Sequence, residues 1–172
     1  MNAHLSSKNR LARTAAGLLL SSLVIASHAA DQRMLERGRY LLRVGGCNDC
    51  HTPGYAESGG QTPVDQWLTG SPVGFQGPWG TTYPTNLRLG VQAMSEAQWL
   101  IHARSAMRPP MPTPSLAAMS DRDLRAIYRF IHGLGAAGVP APDPAPPGQT
   151  VNTAYIEFVP KNPPASGTGR KD

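Results

Sequence analysis

Cys47-Asn48-Asp49-Cys50-His51 is the stretch that decides how this chain is read. Two cysteines three positions apart, followed at once by a histidine, form the attachment signature of a c-type haem. The thiols add across the two vinyl groups of the porphyrin, and the adjacent histidine is then held beneath the iron as proximal ligand. The motif occurs once, and Cys47 and Cys50 are the only cysteines. The expectation is therefore one c-type haem, covalent through Cys47 and Cys50, with His51 on the iron.

Other uses of a Cys-x-x-Cys pair fit less well. A thioredoxin-like redox pair needs alternating strands and helices around it, and the flanks lack that pattern. A zinc site needs four ligands, commonly from a second Cys or His pair at similar spacing, and no second pair exists. A structural disulfide would leave His51 without a role.

Upstream of the motif the chain begins like an exported protein. Lys8, Arg10 and Arg13 make a basic start without acids, and an apolar stretch runs from Ala15 to Ala26. Ser27 and Ala29 suit the −3 and −1 positions of a cleavage site, so residues 1–29 read as a signal peptide. The stretch is short for a membrane span. Cleavage would leave a periplasmic protein, and an uncleaved leader would leave a membrane-anchored one. Export agrees with the motif, because covalent haem attachment in bacterial cytochromes c takes place outside the cytoplasmic membrane. The formal charge of +5 includes three positive residues of the leader, so the mature chain carries +2. That is not a nucleic-acid footprint. The roughly 140 remaining residues suit one modest domain, in which a large apolar prosthetic group would supply much of the core.

Helical periodicity appears in three places. Over 31–44, Leu35, Gly38, Leu41 and Leu42 recur at helical spacing, and Gly45-Gly46 ends the run. Gly38 inside a helix implies close approach by a second helix. Over 95–107, Ser95 and Gln98 form a capping box ahead of Trp99, Leu100, Ala103 and Met107. Over 120–134, Ser120 caps, Asp121 and Asp123 favour the N-terminal dipole, and Leu124, Ile127, Tyr128, Ile131 and Leu134 make an apolar stripe. Residues 52–94 read as irregular, rich in Gly, Pro, Ser and Thr. Beyond Ala136 the chain turns Pro-rich, with one apolar run, Ala154–Val159, that could lie on the core as an extended segment. Residues 161–172 are polar and expected to be disordered. The boundaries are a leader at 1–29, one domain at 31–136 and a C-terminal extension at 137–172.

A His-ligated haem has a second axial position, and a Met thioether there suits electron transfer. Met34 belongs to the first helix, while Met94 and Met119 precede helix caps as hydrophobic staples. Met107 closes the second helix. Met111 stands in Arg108-Pro-Pro-Met-Pro-Thr-Pro114, a loop stiffened by four prolines. Met111 is the expected sixth ligand, with Met107 the next candidate and His102 or His132 the bis-His alternatives. Haem propionates need donors, and Trp79, Tyr83, Asn86 and Arg88 lie between the two ligands. Trp79 and Tyr83 could equally pack on the ring, and Arg88 could be solvated.

Helix, Cys-x-x-Cys-His, long loop, helix, Met-bearing Pro-rich loop and terminal helix together resemble the class I cytochromes c over residues 31 to about 135. The stretch Gly77-Pro-Trp-Gly-Thr-Thr-Tyr-Pro-Thr-Asn-Leu-Arg88 is similar to a Gly-Thr-x-Tyr-x-x-Asn segment in cytochrome subunits of membrane-associated alcohol and aldehyde dehydrogenases. Those subunits often carry three haem modules, and this chain has one. The resemblance implies an all-α fold of three main helices and long loops around one haem. It also implies a crossing of first and last helices, with Gly38 and Tyr40 on one side and Ile127 and Phe130 on the other. A backbone carbonyl accepting from His51 Nδ1 is a further implication.

The function expected is that of a one-electron carrier, not an enzyme, with both axial sites filled and docking through interfaces below about 1,200 Å². A dehydrogenase is the expected donor, and an oxidase or another cytochrome the acceptor; peripheral membrane association stays open. One alternative is an electron-transfer subunit of a dehydrogenase complex. Another is a peroxidase or gas sensor, which would follow if the sixth site were open.

Overall fold

The computed structural model describes residues 28–161. Residues 1–27 of the expected leader and the polar end beyond residue 161 lie outside the described residues. Residues 28–44 are helical and are termed α1. There follow α2 (Cys47–His51), a 3₁₀ turn (Val64–Gln66), β1 (Gly74–Gly77), β2 (Gly80–Thr82), α3 (Leu87–Gln92), α4 (Glu96–Arg104), α5 (Thr113–Ala117), α6 (Asp121–Leu134) and β3 (Tyr155–Glu157).

The long helices form where the periodicity places them. Leu41 and Leu42 of α1, Trp99 and Ala103 of α4, and Leu124, Ala126, Ile127 and Ile131 of α6 enter one buried apolar cluster. The cap at Ser120 accepts from Asp123 N, and Ser95 with Gln98 makes both bonds of the capping box. Trp99 Nε1 donates to the Leu124 carbonyl at 2.8 Å, locking α4 to α6. The helix expected to run to 107 ends one turn earlier, at Arg104. Ser105 is extended, and its N–H and its hydroxyl both donate to the His102 carbonyl, at 3.0 and 2.7 Å.

Gly38 makes the helix crossing. A Cβ there would stand 2.1 Å from the Ala126 carbonyl oxygen and 2.8 Å from Phe130 Cβ. The partners of the glycine are thus Ala126 and Phe130, with Ile127 buried beside them. Tyr40 has no share in the crossing; it is 54% exposed and stacks under the Arg37 guanidinium.

The all-α expectation gives way to a mostly helical fold with a small three-stranded sheet of order β2-β1-β3. Phe75 pairs with Thr82 and Gly77 with Gly80 across a two-residue turn. Strands of three or four residues are too short to show alternation, so the loop-like composition masked them. The apolar run after Ala154 is extended as expected, but it packs on the sheet and not on the helical core. β3 lies parallel to β1, with Phe75 opposite Ile156. On the opposite edge Ala145 pairs with Thr81, so the extension embraces the hairpin from both sides. Gly80, at φ 96, permits this, since a Cβ there would meet the Ala145 carbonyl oxygen at 2.2 Å.

Candidate haem-binding site

The signature motif is itself a helical turn. Gly45 and Gly46 stop α1, Gly46 adopts a left-handed conformation, and α2 starts at Cys47 and ends at His51. Cys47 and Cys50 are not joined in a disulfide, and both thiols are free. Burial pushes the Cys47 thiol up to about 11; one backbone bond opposes the rise, while the charges of Asp49 and Cys50 add to it. Burial and the Asp49 charge also raise Cys50. A thiol oxidoreductase needs the opposite, a thiolate favoured near neutral pH. Among the described residues no group of three or more His, Cys, Asp or Glu stands ready to hold a metal ion.

His51 is 7% exposed, and its Nδ1 lies 2.7 Å from the Thr85 carbonyl oxygen. A carbonyl can only accept, so Nδ1 carries the proton and Nε2 is the nitrogen left with a lone pair for a metal. Burial lowers the basicity of the ring, with the Thr85 bond acting against it. The ring is thus kept neutral, as a ligand must be. Thr85 is the carbonyl that the sequence could not name.

The residues after the motif fasten it to the loop. Thr52 Oγ1 donates to Asn48 Oδ1 and accepts from Leu68 N, both at 2.8 Å. Gly70 N donates to the His51 carbonyl at 2.9 Å. Leu68 has φ 64, a left-handed conformation costing a branched residue about 1–2 kcal/mol. In that conformation its N–H meets Thr52 while its carbonyl accepts from both Leu87 N and Arg88 N. One strained residue therefore links the motif to α3. Among the described residues, Asn48 Nδ2 is the buried side-chain polar atom without a protein partner, and it lies inside the motif.

Met111 is half-buried and packs against the core cluster, as does Met107. Thr82 Oγ1 donates to the Pro109 carbonyl at 2.6 Å, and Met107 N donates to Thr113 Oγ1 at 3.2 Å, so the Met-bearing loop is tied at both ends. His102 and His132 are exposed.

The four candidate propionate donors separate into two groups. Trp79 Nε1 donates to the Phe75 carbonyl at 3.3 Å, and its ring lies against Phe158; Tyr83 Oη meets Thr153 Oγ1 at 2.6 Å. Both face the extension. Asn86 caps α3 through Oδ1 and donates from Nδ2 to the Ala137 and Val139 carbonyls at 2.8 and 3.1 Å. Arg88, 5% exposed, donates to the Gly135 and Asp65 carbonyls at 2.6 Å and to the Leu134 carbonyl. A guanidinium on the last carbonyls of α6 meets the negative end of the helix dipole. The sequence missed Thr52, Thr82 and Thr85, because hydroxyls and carbonyls carry no periodic signal. The only pointer was the Gly-Thr-x-Tyr-x-x-Asn stretch that holds two of them.

Two thiols on one helical turn, a neutral buried imidazole with Nε2 free to coordinate and a tethered thioether loop fit a c-type haem, and they define the class: a cytochrome c. Comparisons with known proteins agree. The chain is 32% identical over 127 residues to the gluconate 2-dehydrogenase cytochrome c subunit of Pantoea cypripedii, which covers 67% of this chain and 26% of the relative. It is 29% identical over 141 residues to the cytochrome c subunit of a quinone alcohol dehydrogenase from Gluconacetobacter polyoxogenes, covering 74% and 28%. The corresponding subunit from Gluconobacter oxydans is 31% identical over 125 residues, covering 63% and 24%. Within its class the chain is similar to dehydrogenase cytochrome subunits, which supports an electron-transfer role and implies a c-type haem. It spans about a quarter of the length of these relatives. No family model and no solved structure matches it.

Proposed function

We propose that the protein carries single electrons in the periplasm through one c-type haem, covalently held by Cys47 and Cys50, with His51 Nε2 and Met111 Sδ as axial ligands. The bound haem supplies a one-electron Fe(III)/Fe(II) couple. The observation that carries the reading is the pairing of two free thiols on one helical turn with a histidine whose Nδ1 is committed to Thr85. His51 holds its proton at Nδ1, so Nε2 keeps one orientation through oxidation and reduction. Thr52, Leu68 and Gly70 hold the motif rigid, which keeps reorganisation small. The apolar cluster around Leu42, Leu68 and Leu116 excludes water from the same region.

Denaturing electrophoresis with haem staining, joined to oxidised and reduced spectra, tests the proposal. The stain is expected to stay with the polypeptide and to be lost in Cys47→Ser/Cys50→Ser. A weak far-red band from ferric thioether ligation is expected and should vanish in Met111→Ala. A colourless mature protein, or a high-spin spectrum in the wild type, would overturn attachment or ligation respectively; the second outcome would favour the peroxidase or sensor reading.

A second reading is favoured by the relatives, which are named as subunits. In it the protein is the electron-transfer subunit of a dehydrogenase complex and passes electrons on to an oxidase or another cytochrome. Co-purification with a dehydrogenase at moderate salt would support this arrangement, and isolation as a free monomer would support the mobile carrier.

A further inference from the structure

The acceptor of the His51 bond is a backbone carbonyl, so its direction is a property of a peptide plane. The Thr85 carbonyl and the Asn86 N–H share that plane. Whatever fixes Asn86 therefore aims the oxygen that His51 faces.

Asn86 is held by more bonds than an N-cap requires. Its Oδ1 accepts from Leu89 N at 3.0 Å, and its Nδ2 donates to Ala137 and Val139 carbonyls at 2.8 and 3.1 Å. Its backbone lies against Gly70, where a Cβ would stand 2.9 Å from Asn86 N. Two residues on, Arg88 grips the Gly135 and Leu134 carbonyls from the buried side of the same segment. Gly138, at φ 74, lets the extension pass beside Asn86; a Cβ there would meet Asn86 Nδ2 at 3.0 Å and Thr69 Cβ at 3.1 Å. Gly70 bonds the His51 backbone carbonyl, while the bonds of Asn86 and Arg88 go elsewhere than the His51 ring and act on it through the plane between Thr85 and Asn86.

We infer that Asn86 and Arg88 are positioning residues for the proximal ligand, through which the end of α6 and the chain beyond it, residues 134–139, set the direction and strength of the His51–Thr85 hydrogen bond. This rests on the reading of His51 as axial ligand. A strong Nδ1–H···O bond makes the imidazole a better electron donor. Weakening it favours the reduced iron, so loosening the plane raises the reduction potential.

The test uses the haem-loaded protein and four variants. Asn86→Ser keeps a capping oxygen for Leu89 N and removes the two donors to the extension. Arg88→Lys keeps the charge and loses the planar fork. Gly138→Ala perturbs Asn86 from the extension alone. Tyr128→Phe removes a neutral hydrogen bond elsewhere on α6, the one to the Met94 carbonyl, and serves as the structural control. Reduction potential, the paramagnetically shifted ring resonances of His51 in the oxidised protein and the thermal midpoint are measured on each.

Asn86→Ser, Arg88→Lys and Gly138→Ala are expected to shift the potential upward and move the His51 resonances. Tyr128→Phe should lower the midpoint and change neither. Midpoints that fall in all four variants, with potentials and His51 resonances at wild-type values, would overturn the inference; the backbone bonds around Leu68 and Gly70 would then hold Thr85 unaided. If Arg88→Lys does not accumulate, the other two variants decide the matter. A wild-type spectrum without histidine ligation would sink the proposed function, and this inference with it; normal wild-type ligation with unmoved variants would sink only the inference.

Discussion

The helical half of the molecule and the half built from loops and extension share one apolar core but differ in what fastens them to it. In α1, α4 and α6 the cohesion is apolar, with Leu42, Leu124 and Ile131 fully buried and the helices approaching through Gly38. In the other half Trp67, Leu68 and Leu116 enter the same apolar cluster, and polar groups fasten the chain around it: Arg88 and Asn86 on carbonyls at and after the end of α6, Thr52 on Leu68, and Ala145 on Thr81. The contrast teaches where tolerance lies. An apolar interface fails by steric intrusion, whereas a network of buried donors fails when one member leaves its partners unsatisfied. His51 stands on the border, its ring delivered by the helical half and its hydrogen-bond partner by the other.

The sharpest way to break the helical half is Gly38→Val. The obstruction at 2.1 Å is backbone, which cannot turn aside. The variant should lose about 3 kcal/mol, read as a drop in denaturant midpoint, and α1 should separate from α6. A midpoint within error of wild type would show that the crossing is not close-packed.

The corresponding cut in the other half is Arg88→Met. It leaves three carbonyls short of a donor and should cost about 2–3 kcal/mol. Hydrogen exchange should accelerate in 134–139 and α3 before it does in α4. Uniform acceleration across both halves would erase the distinction between them.

Phe158→Ala sharpens the comparison at lower cost. Phe158 sits edge-on to Phe75 at 5.5 Å and against Trp79, but is 43% exposed. About 1 kcal/mol should be lost, with exchange faster at β3 and unchanged in α6.

The smallest effect expected is at Glu96. Burial would raise its carboxyl, but hydrogen bonds from Arg125 and Arg129 outweigh this and hold it below its ordinary value of 4.5. A carboxyl depressed in the folded state stabilises above its unfolded pKa, and that contribution is lost as pH falls below it. Glu96→Gln should therefore be slightly less stable than wild type at pH 7. The gap should close as pH drops below about 4.5, read from thermal midpoints across the acid limb. A gap that widens in acid would reverse the sign of the argument.

The two halves were also unequally legible. The helices were readable because apolar residues repeat along them and Ser95 and Ser120 announce their starts. Met111 stood out because four prolines surround it. The sheet escaped notice because its strands are three and four residues long. That Arg88 is buried on three backbone carbonyls, and not solvated, could not be read, because a sequence lists its charge without showing the carbonyls it will meet. The family resemblance drew Tyr40 into the helix crossing, yet the residue is more than half exposed.

By itself the sequence supplied the reading of Cys47, Cys50 and His51 as a haem-attachment motif and determined the three long helices, since both depend on residues close together in the chain. Only the tertiary structure decided which carbonyl faces His51, that Asn86 and Arg88 bind the segment after α6, and that the extension completes a sheet. Those choices join residues from 34 to more than 50 positions apart. Backbone acceptors are chemically alike at every residue, so nothing short of the folded path can select among them.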